Sequence, residues 1–264
     1  MHSLWKGALS FGLIHIPVRL YSASQERELK FKMLHKKDLS EIRYARICKK
    51  EEKEVPWDDI VKGFEIEEGH YVILSDEDFE KVNLKKTRTV EIVSFANEED
   101  IDPIYYHNPY FLEPEKGAAK AYHLLKEALL RSKKVAIGQF VFHHHEHLGV
   151  IRPYGNLLML HQLRYASELV NPKGLMVPKQ EASSKKELEV AIQLIEQLTQ
   201  PFKPQNYSDT YIDEVKEMIH KKSKGHKLKI KKGEEPKASK VSDIMSLLKA
   251  SLKDNKKKKK SVAA

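Results

Sequence analysis

The densest set of ligand-capable side chains in the sequence is the run His143-His144-His145-Glu146-His147. On an extended strand His143, His145 and His147 share one face. Three imidazoles with an open fourth position form a donor set for catalytic zinc, which would make the chain a His-dependent metallohydrolase. The spacing departs from the helical His-Glu-x-x-His arrangement, and no second ligand set stands nearby, so a solvated hairpin end accounts for the run more simply. The glycines never fall into G-x-x-x-x-G-K-[ST] or G-x-G-x-x-G, and no G-x-S-x-G elbow occurs. Asp58-Asp59 and Asp76 with Asp78 read as solvated helix starts. Cys48, the one cysteine, lies beside Arg46, Lys49 and Lys50, a setting that lowers a thiol pKa, but no base partner is identifiable. A single cysteine also excludes an internal disulfide and a Cys-based zinc site. The expectation is a protein that is not an enzyme, with no catalytic residue, no metal and no cofactor.

Basic side chains are the more productive signal. Between Arg27 and Lys53 there are ten Lys and Arg against five acids, including Arg43-Tyr44-Ala45-Arg46 and Lys49-Lys50. Phe31 to His35 and Arg43 to Ile47 alternate as short strands, so these cations would line both sides of a protruding two-stranded ribbon able to track a phosphate backbone. Scattered solvated charge is the plainer alternative. Nothing resembles a base-reading helix, so readout would be of backbone and shape rather than sequence.

The formal charge of +9 over 264 residues is unevenly spread. Residues 221–264 hold 16 Lys against four acids, or +12, leaving 31 basic and 34 acidic side chains, or −3, on residues 1–220. Lys256, Lys257, Lys258, Lys259 and Lys260 are consecutive. Such a block stays solvated and serves as a nucleic-acid-binding arm, so a general tail-driven nucleic-acid-binding protein is a further reading. No lipidation motif or greasy flank accompanies it, which argues against a membrane partner. One tail segment is more than charge: Val241, Ile244, Leu247, Leu248 and Leu252 fall on one side of a helix over 239–253. An apolar stripe within a polycation has no core to join and fits a partner's groove.

The elements that must position these groups are mostly strands. Residues 8–22 alternate, with Ile14, Ile16, Val18 and Leu20 on one face, and Pro17 places that strand at an edge or bulge. Tyr71–Leu74, Thr89–Phe95, 135–142, 147–151 and 156–163 are further strands, the last two joined by a turn at 152–156. Ser75 with Asp78 starts a short helix over 76–82. Pro103, Pro109 and Pro114 make 102–114 irregular or edge structure. Helices are expected over 117–132, over 185–199 behind a Ser184/Glu187 capping box, and over 209–220. The fold class is mainly β with α: a β-barrel core over 1–178, a helical arm over 179–222 and a lysine-rich flexible tail with a short amphipathic helix over 223–264. The chain is 41% hydrophobic with no run of ~20 apolar residues and no signal peptide, so it is expected to be soluble and cytoplasmic.

With these residues in view, the chain resembles bacterial Ku, the DNA-end-binding protein of non-homologous end joining. The matching stretches are Trp5-Lys6-Gly7-Ala8-Leu9-Ser10-Phe11-Gly12-Leu13, Pro17-Val18, Leu20-Tyr21-Ser22, Ile42-Arg43-Tyr44, Val55-Pro56-Trp57, Lys62-Gly63 and Tyr71-Val72. They continue through Asp76-Glu77-Asp78, Arg88-Thr89, Ile101 to Tyr106, Tyr110 to Pro114, Lys116-Gly117, Ala121-Tyr122 and Leu163-Arg164-Tyr165. All lie in order across residues 3–170, and Ser242 to Met245 with Leu248 to Leu252 is similar to the family's C-terminal helix. The resemblance implies a homodimer whose barrels and bridge strands form a ring threaded by double-stranded DNA ends. It implies recruitment and stimulation of a multifunctional ATP-dependent DNA ligase through the C-terminal region, with Ile244, Leu247, Leu248 and Leu252 as partner-binding residues. By position, Arg43, Arg46, Lys49, Lys50 and Lys53 would lie in or near the bridge over DNA. Some relatives carry paired cysteines there, where Cys48 stands alone, and the His143–His147 run is outside the pattern.

Overall fold

The computed structural model describes residues 1–25, 28–83, 88–143, 145–178, 184–225 and 245–252. Two compact units result, Met1–Pro172 and Lys173–Ala264. The first is built on seven strands: β1 (Trp5–Phe11), β2 (Ile14–Ser22), β5 (Thr89–Ala96), β6 (Tyr106–Pro114), β7 (Val135–Phe142), β8 (His145–Tyr154) and β9 (Leu157–Leu163). They close as β1-β2-β6-β9-β8-β7-β5, with every pairing antiparallel except β1 with β5. Between β2 and β5 the chain makes a separate hairpin, β3 (Lys62–Glu67) with β4 (His70–Leu74), and helix α1 (Asp76–Asn83). Helix α2 (Ala119–Ser132) follows β6. The second unit contains α3 (Lys185–Leu198), α4 (Thr210–Ser223) and a helix over 245–252.

Alternation in the sequence translates directly into the barrel interior. Ile16, Val18 and Leu20 of β2 are buried with Leu9, Val90 and Leu112 of the neighbouring strands. β9 breaks the alternation because Leu158, Met159 and Leu160 are all buried. Its inner residues join the main core, while Leu163 packs outside with Val135, Val150 and residues of the 101–106 segment. The expected single strand over 8–22 is two strands, folded back at Gly12-Leu13, where Gly12 takes the left-handed backbone (φ 58°). Ile14, at that turn, is consequently exposed.

Two proline-based expectations are corrected. Pro17 lies on a strand paired on both sides, not at an edge. The β2–β6 ladder begins one residue later, at Val18↔Pro114, so the missing N–H leaves no ladder position unfilled, and the Pro17 carbonyl accepts from the Glu115 amide. Residues 106–114 form β6, a central strand: Pro103 opens a turn, Pro109 sits where the β6–β9 register shifts, and Pro114 ends the strand. Each proline occupies a place where the ladder needs no donor from it.

Helix α2 adds Tyr122, Leu125 and Leu129 to the core. The Tyr122 hydroxyl donates to the Leu112 carbonyl and accepts from the Leu158 amide, both at 2.6 Å. Leu112 and Leu158 face each other in the β6–β9 register, so one phenol ties the helix to two strands at once. Burial pushes this hydroxyl up in pKa, which keeps it a proton donor. Tyr122→Phe leaves a buried carbonyl and a buried amide without that partner. It is expected to cost about 1–3 kcal/mol, read as a lower urea midpoint at unchanged m-value.

Candidate nucleic-acid interface

Because β1 and β5 run parallel and β2 runs against β1, the end of β2 and the start of β5 lie at the same rim. The intervening segment, residues 23–88, therefore leaves and rejoins the barrel on one side. It holds every body cation singled out from the sequence. Over 31–55 the structure differs from the expected two-stranded ribbon. It makes two tight hairpin loops, each closed by an isolated bridge: Leu34↔Glu41 in the first, Ile47↔Glu54 in the second. The alternation that read as strands at 31–35 and 43–47 belongs to the two arms of different loops. Short local hydrogen bonds win over a long ribbon because backbone bonds close each loop within six residues, joined in the first loop by the Asp38 carboxylate.

The geometry sorts the five body cations. Arg43 donates from Nη2 to Glu54 Oε2 at 3.0 Å, so its charge is already partnered across the second loop. The Arg46 guanidinium stacks over the Trp57 ring, 4.1 Å from its centroid, a contact worth about 0.5–1 kcal/mol at an exposed site. Lys49, Lys50 and Lys53 are exposed and have no ion-pair partner among the described residues. The second loop thus engages its arginines and leaves its lysines exposed. The Cys48 thiol between them is lowered in pKa by the backbone amides of Glu51 and Lys50, which point at it.

Elsewhere the candidates fare differently. His147 lies on β8 with both ring nitrogens engaged: Nε2 contacts the Phe142 carbonyl at 3.1 Å, and Nδ1 takes the Gln162 amide at 2.9 Å. Burial lowers its pKa, so the ring is neutral and part of the barrel wall. His143 has a left-handed backbone (φ 50°) at the end of the β7–β8 hairpin, and His144 lies outside the described residues. Among the described residues no three His, Cys, Asp or Glu side chains come together as a metal-holding group. In the tail, Ile244 and Lys256 to Lys260 lie outside the described residues. Leu247 is exposed, whereas Leu248 and Leu252 are half-buried, and Gln197 of α3 donates to the Leu252 carbonyl at 3.4 Å. No helix among the described residues is long and apolar enough to cross a membrane.

Sequence reasoning also passed over the side chains that hold the barrel rims. Glu115 receives both Lys6 and Arg19, and these cations hold its carboxyl below the ordinary range. Arg164 donates to the carbonyls of Ile104 and Tyr106, clamping the start of β6. These residues or their neighbours stand within the quoted motifs, so much of that pattern is scaffold rather than interface.

Comparison with known proteins agrees with this architecture. The family model described as Ku70/Ku80 beta-barrel domain matches residues 10–190. A protein of Opitutus terrae named non-homologous end joining protein Ku is 39% identical over 254 residues, covering 96% of this chain and 91% of that one. Proteins of the same name from Archaeoglobus fulgidus and Bacillus subtilis are 39% and 36% identical, over 96% of this chain and 98% and 82% of theirs. A closed barrel interrupted at one rim by a lysine-bearing segment, matched across most of its length by that model and these relatives, makes the chain a member of the Ku family.

Proposed function

We propose that this chain serves non-homologous end joining as a homodimer that binds double-stranded DNA ends without regard to sequence. DNA threads through a ring to which each copy contributes a barrel and its 23–88 segment. The observation that carries this reading is the set of unpartnered lysines Lys49, Lys50 and Lys53 on that segment, in a chain whose relatives are named for end joining. A ring holds DNA topologically, so selection for ends needs no base contact: only a free terminus can enter. Affinity then comes from phosphate neutralisation and falls with salt.

The second copy has physical support of its own. The β3–β4 hairpin is a two-stranded sheet, and Phe64, Ile66, Tyr71 and Ile73 on it are each more than 60% exposed. An isolated hairpin is marginal in water, and an apolar surface on such an element calls for cover. The apolar stripe of α3, Leu188, Ile192, Ile195 and Leu198, is likewise open and fits the same role for the helical arm. In the tail, Lys256 to Lys260 add non-selective attraction, and the helix over 245–252 recruits an ATP-dependent DNA ligase through its outward residues.

Threading is checked by comparing linear duplex with a closed circle of the same sequence. At least tenfold weaker binding to the circle is expected, and equal binding defeats the reading. Replacing Lys256, Lys257, Lys258, Lys259 and Lys260 with Gln is expected to lower the log–log salt slope by up to about 4.5 while the preference for linear DNA persists. For the ligase, Leu247→Asp alters the exposed side of the terminal helix without touching half-buried Leu248 and Leu252. Pull-down of ligase should be lost with DNA affinity unchanged, and full ligase retention removes Leu247 from the contact.

A further inference from the structure

The two hairpin loops of the 31–55 region are the same structure written twice, thirteen residues apart. His35 N donates to Ser40 O and Leu39 N to His35 O; Cys48 N donates to Lys53 O and Glu52 N to Cys48 O, all at 2.8 Å. The outer bonds correspond as well, Ile42 N to Met33 O and Val55 N to Arg46 O, as do the bridges Leu34↔Glu41 and Ile47↔Glu54. Leu39 and Glu52, at matching places, both take the left-handed backbone, with φ of 59° and 58°. The sequences agree where the fold needs them to: Leu34-His35-Lys36-Lys37-Asp38 against Ile47-Cys48-Lys49-Lys50-Glu51, then Glu41-Ile42 against Glu54-Val55.

Within each loop the first and fourth positions are occupied by closure. In the first, Asp38 Oδ1 takes the Ser40 amide at 3.1 Å, the Ser40 hydroxyl at 2.8 Å and His35 Nδ1 at 2.9 Å. In the second, the amides of Lys50 and Glu51 are directed at the Cys48 sulfur. The second and third positions are left to the solvent side, and both loops place two lysines there. Lys36 and Lys37, like Lys49 and Lys50, are exposed with no ion-pair partner among the described residues. By contrast Lys32, on the arm of the first loop, is paired with Glu41. A tip held by its own backbone bonds loses little conformational freedom when an anion docks, so its two ammonium groups contribute most of their Coulomb attraction to affinity.

We propose that Lys36 and Lys37 form a second phosphate-binding tip, equivalent to that of Lys49 and Lys50, so that each chain grips the DNA backbone with a duplicated loop. This rests on the DNA-binding reading above and extends it to two residues outside the cluster first assigned. The experiment measures duplex affinity against salt for the full-length protein and three double variants: K36Q/K37Q, K49Q/K50Q, and K185Q/K186Q at the start of α3 as a charge-matched control. Each tip variant should lower the log–log slope by about 1.8, so that a fourfold rise in salt costs it about twelvefold less affinity than it costs the wild type. The control should shift the slope by less than about 0.5. A slope unchanged by K36Q/K37Q overturns the proposal, and so does a control that falls as far as the tips. Running linear and circular duplex side by side separates the two levels. Equal binding to both with the tip losses intact ends threading but keeps the tips; preference for linear DNA with no loss from K36Q/K37Q does the reverse.

Discussion

An odd number of strands cannot close into a barrel with every neighbour antiparallel. Seven strands surround this core, so one pair must run parallel, and here it is β1 with β5, joined over Ala8–Ser10 and Thr89–Glu91. Parallel neighbours cannot be linked by a tight turn and need a long crossover. Here β2 supplies that return, so the 66 residues of the 23–88 segment are an insertion between the end of β2 and the start of β5 at one rim. The seam is also tightly packed beside Gly7. A Cβ on Gly7 would stand 2.1 Å from the Trp5 ring and 2.2 Å from the Arg88 carbonyl, so only glycine lets the backbones meet there.

Parity of the strand count thus links the fold to function. It makes β5 parallel to β1, and the antiparallel run of β2 against β1 sets both ends of the 23–88 excursion at one rim. The barrel can then be packed for stability, with Tyr122, Glu115 and Arg164 fixing helix and strand ends, while the excursion carries the cations. Basic side chains inside the barrel would have to be desolvated; on solvated loops they keep their charge at no such cost. The division of charge along the chain has the same logic, because a nearly neutral body folds with little self-repulsion.

Local pattern was informative wherever a residue's neighbours in sequence are also its neighbours in force. The Ser184/Glu187 box starts α3 with both reciprocal hydrogen bonds, and the alternation of Ile16, Val18 and Leu20 faces the core. It misled at the prolines, whose cost depends on whether a ladder partner exists at that position, a question about β6 and β9 rather than about Pro17 or Pro109. It misled again at 31–55, where period-2 alternation describes equally well one ribbon or two small loops. The thirteen-residue self-similarity was present in the letters, but its meaning lies in the matching hydrogen bonds.

The sequence by itself determined the barrel class, the helices and their caps, the separation of a basic tail from a balanced body, and the membership of the Ku family, since each depends on residue type and order. Tertiary structure alone decided which cations are free. Arg43 and Arg46 read no differently from Lys49 and Lys50 along the chain, yet Glu54 and Trp57 occupy the first two and leave the others open. Charge is a property of the residue; availability of that charge is a property of what folds beside it.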